Sequence, residues 1–262
     1  MTKTKNQSIS IFVIATKSYI NYALTLVDSA MKWHRGESRV QFILLTDRDV
    51  SSLAIEKNSD FFTIKSFQIP SYGWPEATLL RFHLMLEHWR HVSGDVVMYL
   101  DADTEIVAPI NFQELSKFCC HPSSNGVTPV LSPGYYKRFR PLRFFIRTRI
   151  GPWETNQKST SYVAFKLRKN YVCGAVFWGQ REAFHQLCVE LRSQIDTDSK
   201  NKVVAKCNDE SYLNKWLTTH PTVLATPEWA YAPGYRNLKK LQPRIEVIHK
   251  PSTFVRMPTD IK

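Results

Sequence analysis

Short apolar runs alternate with helically spaced segments through the first hundred residues. Ser8 to Thr16 is apolar and rich in β-branched residues, which predicts a buried first strand. Tyr19 to His34 then spaces Tyr22, Leu26, Ala30 and Trp33 as a helix does. Gln41 to Thr46 and Phe61 to Ile69 predict two further strands, giving the alternation of a mostly parallel sheet. Trp74 to His91 predicts one helix, with Pro75 tolerated in its first turn and Leu79, Leu80, Phe82, Leu84 and Met85 on its apolar surface. It leads into another strand, Val96 to Leu100. Beyond Pro109 a short helix is expected at Phe112 to Phe118, then an irregular region from Cys120 to Gly151. Tyr171 to Trp178 predicts a strand whose small residues, Gly174 and Ala175, could admit a ligand close to the backbone. Helices follow from Arg181 to about Ile195 and from Asp209 to Thr218, and the tail from Arg236 has no strong period. The expected class is α/β.

Composition narrows the possibilities. The 262 residues, 43% hydrophobic and 13% aromatic, suffice for one domain with a substantial core. Met1 to Ser8 is polar, and nowhere do ~18 uncharged apolar residues run together, so neither signal peptide nor membrane span is expected. Five cysteines, Cys119, Cys120, Cys173, Cys188 and Cys207, have no metal-ligand spacing; free thiols in a reducing cytoplasm are the expectation. The net charge of +12 admits nucleic acid, an anionic membrane surface or a phosphorylated small molecule as partner. Lys137, Arg138, Arg140, Arg143, Arg147 and Arg149 crowd one stretch among Tyr135, Tyr136, Phe139, Phe144 and Phe145. Such a stretch suits base stacking, a lipid interface or a solvated loop with core anchors. No nucleic-acid motif, repeat or low-complexity tract accompanies it.

The chemistry centres on Val96 to Pro109, where an apolar strand ends in Asp101 and Asp103. Ligands of open α/β sheets collect at the carboxyl ends of strands. Two carboxylates there can face one divalent cation, and hard oxygen donors suit Mg²⁺ or Mn²⁺ with positions left open for diphosphate oxygens. Asp-x-Asp at a strand end is also a common turn or helix-capping device. Asp209 and Glu210 place two more carboxylates at the positive end of a helix, where charge pairing alone would explain them.

Several separated segments resemble glycosyltransferase family 6, the retaining α1,3-galactosyl- and N-acetylgalactosaminyltransferases. Asn208-Asp-Glu-Ser-Tyr-Leu-Asn-Lys-Trp216 resembles the family's His-Asp-Glu-Ser-His-Leu-Asn-Lys-Tyr segment. Trp74-Pro-Glu-Ala-Thr-Leu-Leu-Arg81 is similar to its Trp-x-x-x-Ser-x-x-Arg helix start, Asp101-Ala102-Asp103 to its Asp-Val-Asp motif, and Tyr171 to Gly179 to its Tyr-Tyr-x-(Gly/Ala)-(Gly/Ala)-x-Phe-Gly-Gly strand. Order and spacing agree from about Ile9 to Arg256.

The resemblance implies a GT-A fold, a Rossmann-like mixed sheet flanked by helices, in a single catalytic domain over 1–262. About 8–109 would bind the nucleotide and end in Asp-x-Asp, about 110–235 would hold the acceptor and catalytic groups, and about 236–262 would close over the donor. It implies a UDP-sugar donor, a glycan or glycolipid acceptor, and Mn²⁺ or Mg²⁺. Ile14, Ala15, Thr16 and Tyr19 fall where the family holds uridine, and Arg81, Lys250 and Arg256 at its donor-contacting basic positions. Asp101 and Asp103 match the metal ligands, with Ala102 between them. Asp209 matches the residue bonded to the donor sugar's hydroxyls, and Glu210 the glutamate on the sugar's β-face. Gly174 and Ala175 lie where residue size helps choose between galactose and N-acetylgalactosamine, the Ala175 methyl leaning towards galactose. Cys173 and Asn208 occupy acceptor-side positions, and Cys207 replaces a tryptophan of the acceptor site.

The intact aspartate pair and missing anchor and stem look like a soluble, metal-dependent microbial or viral member. The implied activity is retaining transfer to the 3-hydroxyl of an acceptor sugar. Lys137 to Arg149 would make peripheral contact with anionic membrane. The competing readings are a GT-A transferase of another sugar or linkage, and a non-catalytic basic protein that binds membrane or nucleic acid.

Overall fold

In the computed structural model, which describes residues 7–49, 60–136 and 151–248, Ser8–Ala15 (β1) runs through the middle of the sheet. Residues Ile9 to Val13 are all buried, as suits a strand covered on both faces. Arg39–Thr46 (β2) and Val96–Leu100 (β4) flank it in parallel, and Phe62–Gln68 (β3) lies parallel to β2 at one edge. Val172–Gln180 (β7) pairs antiparallel with β4, and Val127–Leu131 (β6) pairs antiparallel with β7. The order is β3-β2-β1-β4-β7-β6. Thr104–Ile106 (β5) and Ile245–Val247 (β8) form a separate antiparallel pair.

Alternate residues of these strands feed two cores. Ile9, Ile11, Val13, Phe42, Leu44, Met98 and Leu100 pack with Ala23, Leu26, Val27 and Ala30 of helix α1 (Tyr19–Trp33). Phe12, Ile43, Leu45, Val97, Tyr99 and Phe177 face the other way. They meet α3 (Arg81–Glu87), α5 (Arg181–Lys200) and α6 (Asn208–Trp216). Phe177 is the hub of that second core, with ring centroids 5.3 Å from both Tyr99 and Phe184. Truncating it to alanine would cost about 3–5 kcal/mol. The glycosyltransferase GT-A class expected from the sequence is the architecture observed, a six-stranded mixed sheet flanked by helices. Its two expected halves share this one sheet, β6 and β7 continuing from β4.

Several elements differ from expectation. The helix expected over Trp74 to His91 is broken into α2 (Glu76–Leu79), α3 and a 3₁₀ turn at Trp89–His91. α2 buries no residue fully, whereas α3 buries Arg81, Phe82, Leu84 and Met85, and the chain turns at Leu80 between them. The expected irregular region contains β6, whose Pro129 is tolerated at a register shift where the Ala225 N–H donates to the Pro129 carbonyl. The helix expected at Phe112 to Phe118 is displaced to Glu114–Cys119 (α4), and α5 runs on to Lys200. There the wholly buried carboxylate of Asp198 accepts hydrogen bonds from Ser159 Oγ, the Thr160 N–H and Tyr212 Oη. β8 lies in the tail read as aperiodic. The five cysteines are free.

Candidate active site

The carboxyl ends of β1 and β4 open onto one cleft. Ile14, Thr16 and Tyr19 line it from the end of β1 and the start of α1. Trp74, just before α2, and Ala77, Thr78 and Arg81 of α2 and α3 line it next, with Tyr99, Asp101, Ala102 and Asp103 from the end of β4. The sequence-derived nucleotide positions therefore meet around a single space, with one exception. Ala15 turns away and is fully buried in the α1 core. Thr16 is fixed by donating from Oγ1 to the Tyr72 carbonyl, at 3.0 Å.

Arg81 organises the deep end of the cleft. Only 4% of it is exposed. Its Nη1 donates to the Gly174 carbonyl at 2.6 Å and lies 3.1 Å from Asp209 Oδ2, while Nη2 lies 3.3 Å from Asp101 Oδ1. The guanidinium sits 4.4 Å from the Tyr99 ring centroid, and Tyr99 Oη donates to the same Asp101 oxygen at 2.8 Å. One cation thus joins β4, β7 and α6. Burial opposes its charge, but Asp209, Tyr99, Asp101 and Glu210 together hold its pKa above the usual arginine value.

Glu210 and Asp209 open α6. The Gly174 N–H donates to Glu210 Oε2 at 2.8 Å. Burial pushes the Glu210 carboxyl above its ordinary range, partly offset by Tyr171 and by that N–H. Burial also drives Asp209 up to about 7, opposed by Arg81 and reinforced by the like charges of Asp101 and Glu210. A Cβ built on Gly174 would come 3.1 Å from Asp209 Oδ2, 3.5 Å from Arg81 Nη1 and 3.5 Å from Glu210 Cβ. The space that glycine leaves is therefore bordered by these three side chains.

The remaining positions surround this network. Ala175 is half-buried, and its carbonyl accepts from the Asp101 N–H at 2.9 Å. Cys173 Sγ bonds to the Val130 carbonyl at 3.6 Å, and burial pushes its thiol up to about 12, so it stays protonated. Asn208 begins α6 with φ of +45°, a left-handed conformation that asparagine adopts more readily than most residues. Lys250 and Arg256, like the Lys137 to Arg149 cluster, lie outside the described residues.

Three residues without a role in the sequence reading help build the site. Tyr99 braces both Arg81 and Asp101; its position two residues before Asp101, on the same strand face, was the available signal. Tyr171 lies beside Glu210 and Cys207, and burial pushes its hydroxyl's pKa well above the ordinary range. Asn214 ties α6 to β7, accepting from the Val172 N–H and donating to the Val172 carbonyl, each at 2.9 Å.

Asp101 and Asp103 both border the cleft, and among the described residues no third His, Cys, Asp or Glu joins them in a closed cage. Two carboxylates with the other positions left to phosphate and water suit Mg²⁺ or Mn²⁺, so these residues fit such an ion.

Comparison with known proteins agrees with this geometry. The sequence model for glycosyltransferase family 6 matches residues 1–256. The chain is 23% identical over 238 residues to histo-blood group ABO system transferase 2 of Rattus norvegicus, covering 87% of this chain and 65% of that protein. It is also 23% identical over 228 residues to the O-antigen biosynthesis glycosyltransferase WbnI of Escherichia coli, covering 87% of this chain and 89% of that protein. A third relative, globoside alpha-1,3-N-acetylgalactosaminyltransferase 1 of Homo sapiens, is 23% identical over 231 residues, 86% of this chain and 61% of that protein. The chain thus spans less than two thirds of the two animal relatives and most of the bacterial one. With the family model matched along nearly the whole chain, and its motifs joined through Arg81 at one cleft, this chain belongs to glycosyltransferase family 6.

Proposed function

We propose that this chain transfers galactose or N-acetylgalactosamine, with retention, from the UDP-sugar to the 3-hydroxyl of an acceptor glycan or glycolipid. The observation that carries this reading is the single guanidinium of Arg81 between Asp101 and Asp209, which puts a diphosphate-side carboxylate and a sugar-side carboxylate within one side chain's span. Ile14, Thr16 and Tyr19 would receive the uridine at the far side of the cleft. Asp101 and Asp103 would hold Mn²⁺ or Mg²⁺, which when bound supplies Lewis-acid stabilisation of the departing diphosphate. Lys250 and Arg256 would add positive charge over the donor.

Breaking the sugar–phosphate bond builds positive charge at C1. Glu210, held on the Gly174 N–H, presents a buried carboxylate to that charge. It acts as a covalent partner in double displacement or as a fixed anion in front-face attack. Asp209 would hold the sugar's hydroxyls, oriented by Arg81. Cys173 and Asn208 would border the acceptor. The Ala175 methyl favours galactose, worth only about 1–3 kcal/mol. No helix among the described residues is long and apolar enough to cross a membrane. Lys137 to Arg149 would attract anionic lipid carrying a lipid-linked acceptor, an attraction that salt screens.

The test is UDP release from UDP-galactose and UDP-N-acetylgalactosamine, with Mn²⁺ or EDTA, with water or galactosides as acceptor. Glu210→Gln should lower turnover about 10²–10³-fold. UDP binding without turnover of either sugar would overturn the reading.

A further inference from the structure

We infer that Asn214 is a positioning residue for Glu210, setting where its carboxylate sits against the start of β7. The inference rests on the transferase reading above. Asn214 and Glu210 are four residues apart on α6, hence on one face of the helix, and that face lies against the start of β7. The Asn214 side chain is 1% exposed and makes three hydrogen bonds of 2.9 Å. Its Oδ1 accepts from the Val172 N–H; its Nδ2 donates to the Val172 carbonyl and to the Glu210 carbonyl one turn back.

Two residues along β7 the same arrangement recurs with different side chains. The Gly174 N–H is taken by Glu210 Oε2, and the Gly174 carbonyl by Arg81. Side chains thus hold both backbone groups at Val172 and at Gly174, as a neighbouring strand would. α6 therefore has a register against β7, fixed at one end by the Asn214 amide and read out at the other by Glu210. A carboxamide suits the first point: it alone among side chains, with glutamine, both donates to and accepts from one residue's backbone in a plane. The Asn214 bond to the Glu210 carbonyl also ties Glu210's own backbone to this anchor. Losing the anchor lets α6 slide or tilt, and a misplacement of about 1 Å at a reacting centre costs on the order of 10²-fold in rate. The nucleotide cleft draws no residue from α6, so UDP binding should be spared.

The experiment compares wild type, Asn214→Asp, Asn214→Ala, Glu210→Gln and the Asn214→Asp/Glu210→Gln double variant. Asn214→Asp keeps the shape and the acceptor but loses both donated bonds, so it serves if the alanine variant fails to fold. The readouts are Mn²⁺-UDP affinity by calorimetry and kcat and KM for UDP-sugar hydrolysis and transfer. Asn214→Asp should keep UDP affinity within about twofold and lose about 10–100-fold in kcat, with donor KM little changed. In the Glu210→Gln background it should cost less than about threefold, because a residue acting through Glu210 has nothing left to position. Full, additive losses in both backgrounds, a matching loss of UDP affinity, or a folded Asn214→Asp variant with wild-type kcat would each overturn the inference. Wild type that turns over no UDP-sugar overturns the transferase reading and this inference together; active wild type with additive losses overturns this inference alone.

Discussion

Replacing Arg81 with alanine tests the site's electrostatic frame without requiring a substrate. The substitution strips the partner from Asp209, whose side chain is 7% exposed, and removes the donor to the Gly174 carbonyl. Breaking a buried ion pair from one side costs about 3–5 kcal/mol, and an unsatisfied buried carbonyl about 1–3 kcal/mol. Asp101, 32% exposed on its side chain, adds little because water screens it. The overlapping losses come to about 4–6 kcal/mol. For a chain of this length that is a fall in melting temperature of about 10–20 °C, read by calorimetry or dye fluorescence in EDTA. Adding Asp209→Asn should remove the part of the loss that grows with pH, since the carboxyl that must stay protonated is gone.

The loss also has a pH signature. Asp209's folded pKa of about 7 lies above its unfolded value of 3.8, so the stability it lends is full below 3.8 and is lost as pH rises towards 7. Without Arg81 the folded pKa rises further and that loss continues beyond 7. The gap between wild type and Arg81→Ala should therefore widen by up to about 1.4 kcal/mol between pH 7 and 8. A variant melting within 2 °C of wild type, or a gap that narrows with pH, refutes the reasoning.

Other predictions follow from neighbouring contacts. Asp101→Asn and Asp103→Asn should each remove the Mn²⁺-dependent part of the thermal shift given by UDP; in wild type, ligand at about 100 times Kd adds about 2.7 kcal/mol, and an unchanged shift in either variant counts against them as metal ligands. Tyr99→Phe keeps the ring beside Arg81 and loses the bond to Asp101, so melting should fall by a few degrees, about 1–3 kcal/mol, with no loss of far-ultraviolet circular dichroism. Asp198→Ala strands three donors and should cost about 3 kcal/mol or more, with faster proteolysis between Gly151 and Val163; equal cleavage rates would show that this anchor is dispensable.

What the sequence disclosed followed the strength of local pattern. β1, β2, β4 and β7 are near-continuous apolar runs because both their faces are covered, and such runs are legible without any tertiary knowledge. The break at Leu80 left no trace, since no Gly or Pro marks it and the apolar spacing continues across it. β6 was hidden by Pro129, which is acceptable only because a bulge and the Ala225 N–H accommodate it, both of them long-range facts. At the site, Asp101 and Asp103 stood out at the end of their strand, and the resemblance named Arg81, Asp209 and Glu210. Their convergence on Gly174 could not be read, because it depends on where a strand more than seventy residues beyond Asp101 happens to lie.

That strand's direction has its own consequence. β7 runs opposite to β4, so its first residues, not its last, sit beside Asp101. Cys173, Gly174 and Ala175 are thereby delivered to the same rim as the carboxyl ends of β1 and β4, because the polypeptide enters β7 at that rim. Asp101 is therefore flanked by Ile14, Thr16 and Tyr19 from the end of β1 and the start of α1 on one side, and by Cys173, Gly174 and Ala175 of β7 on the other.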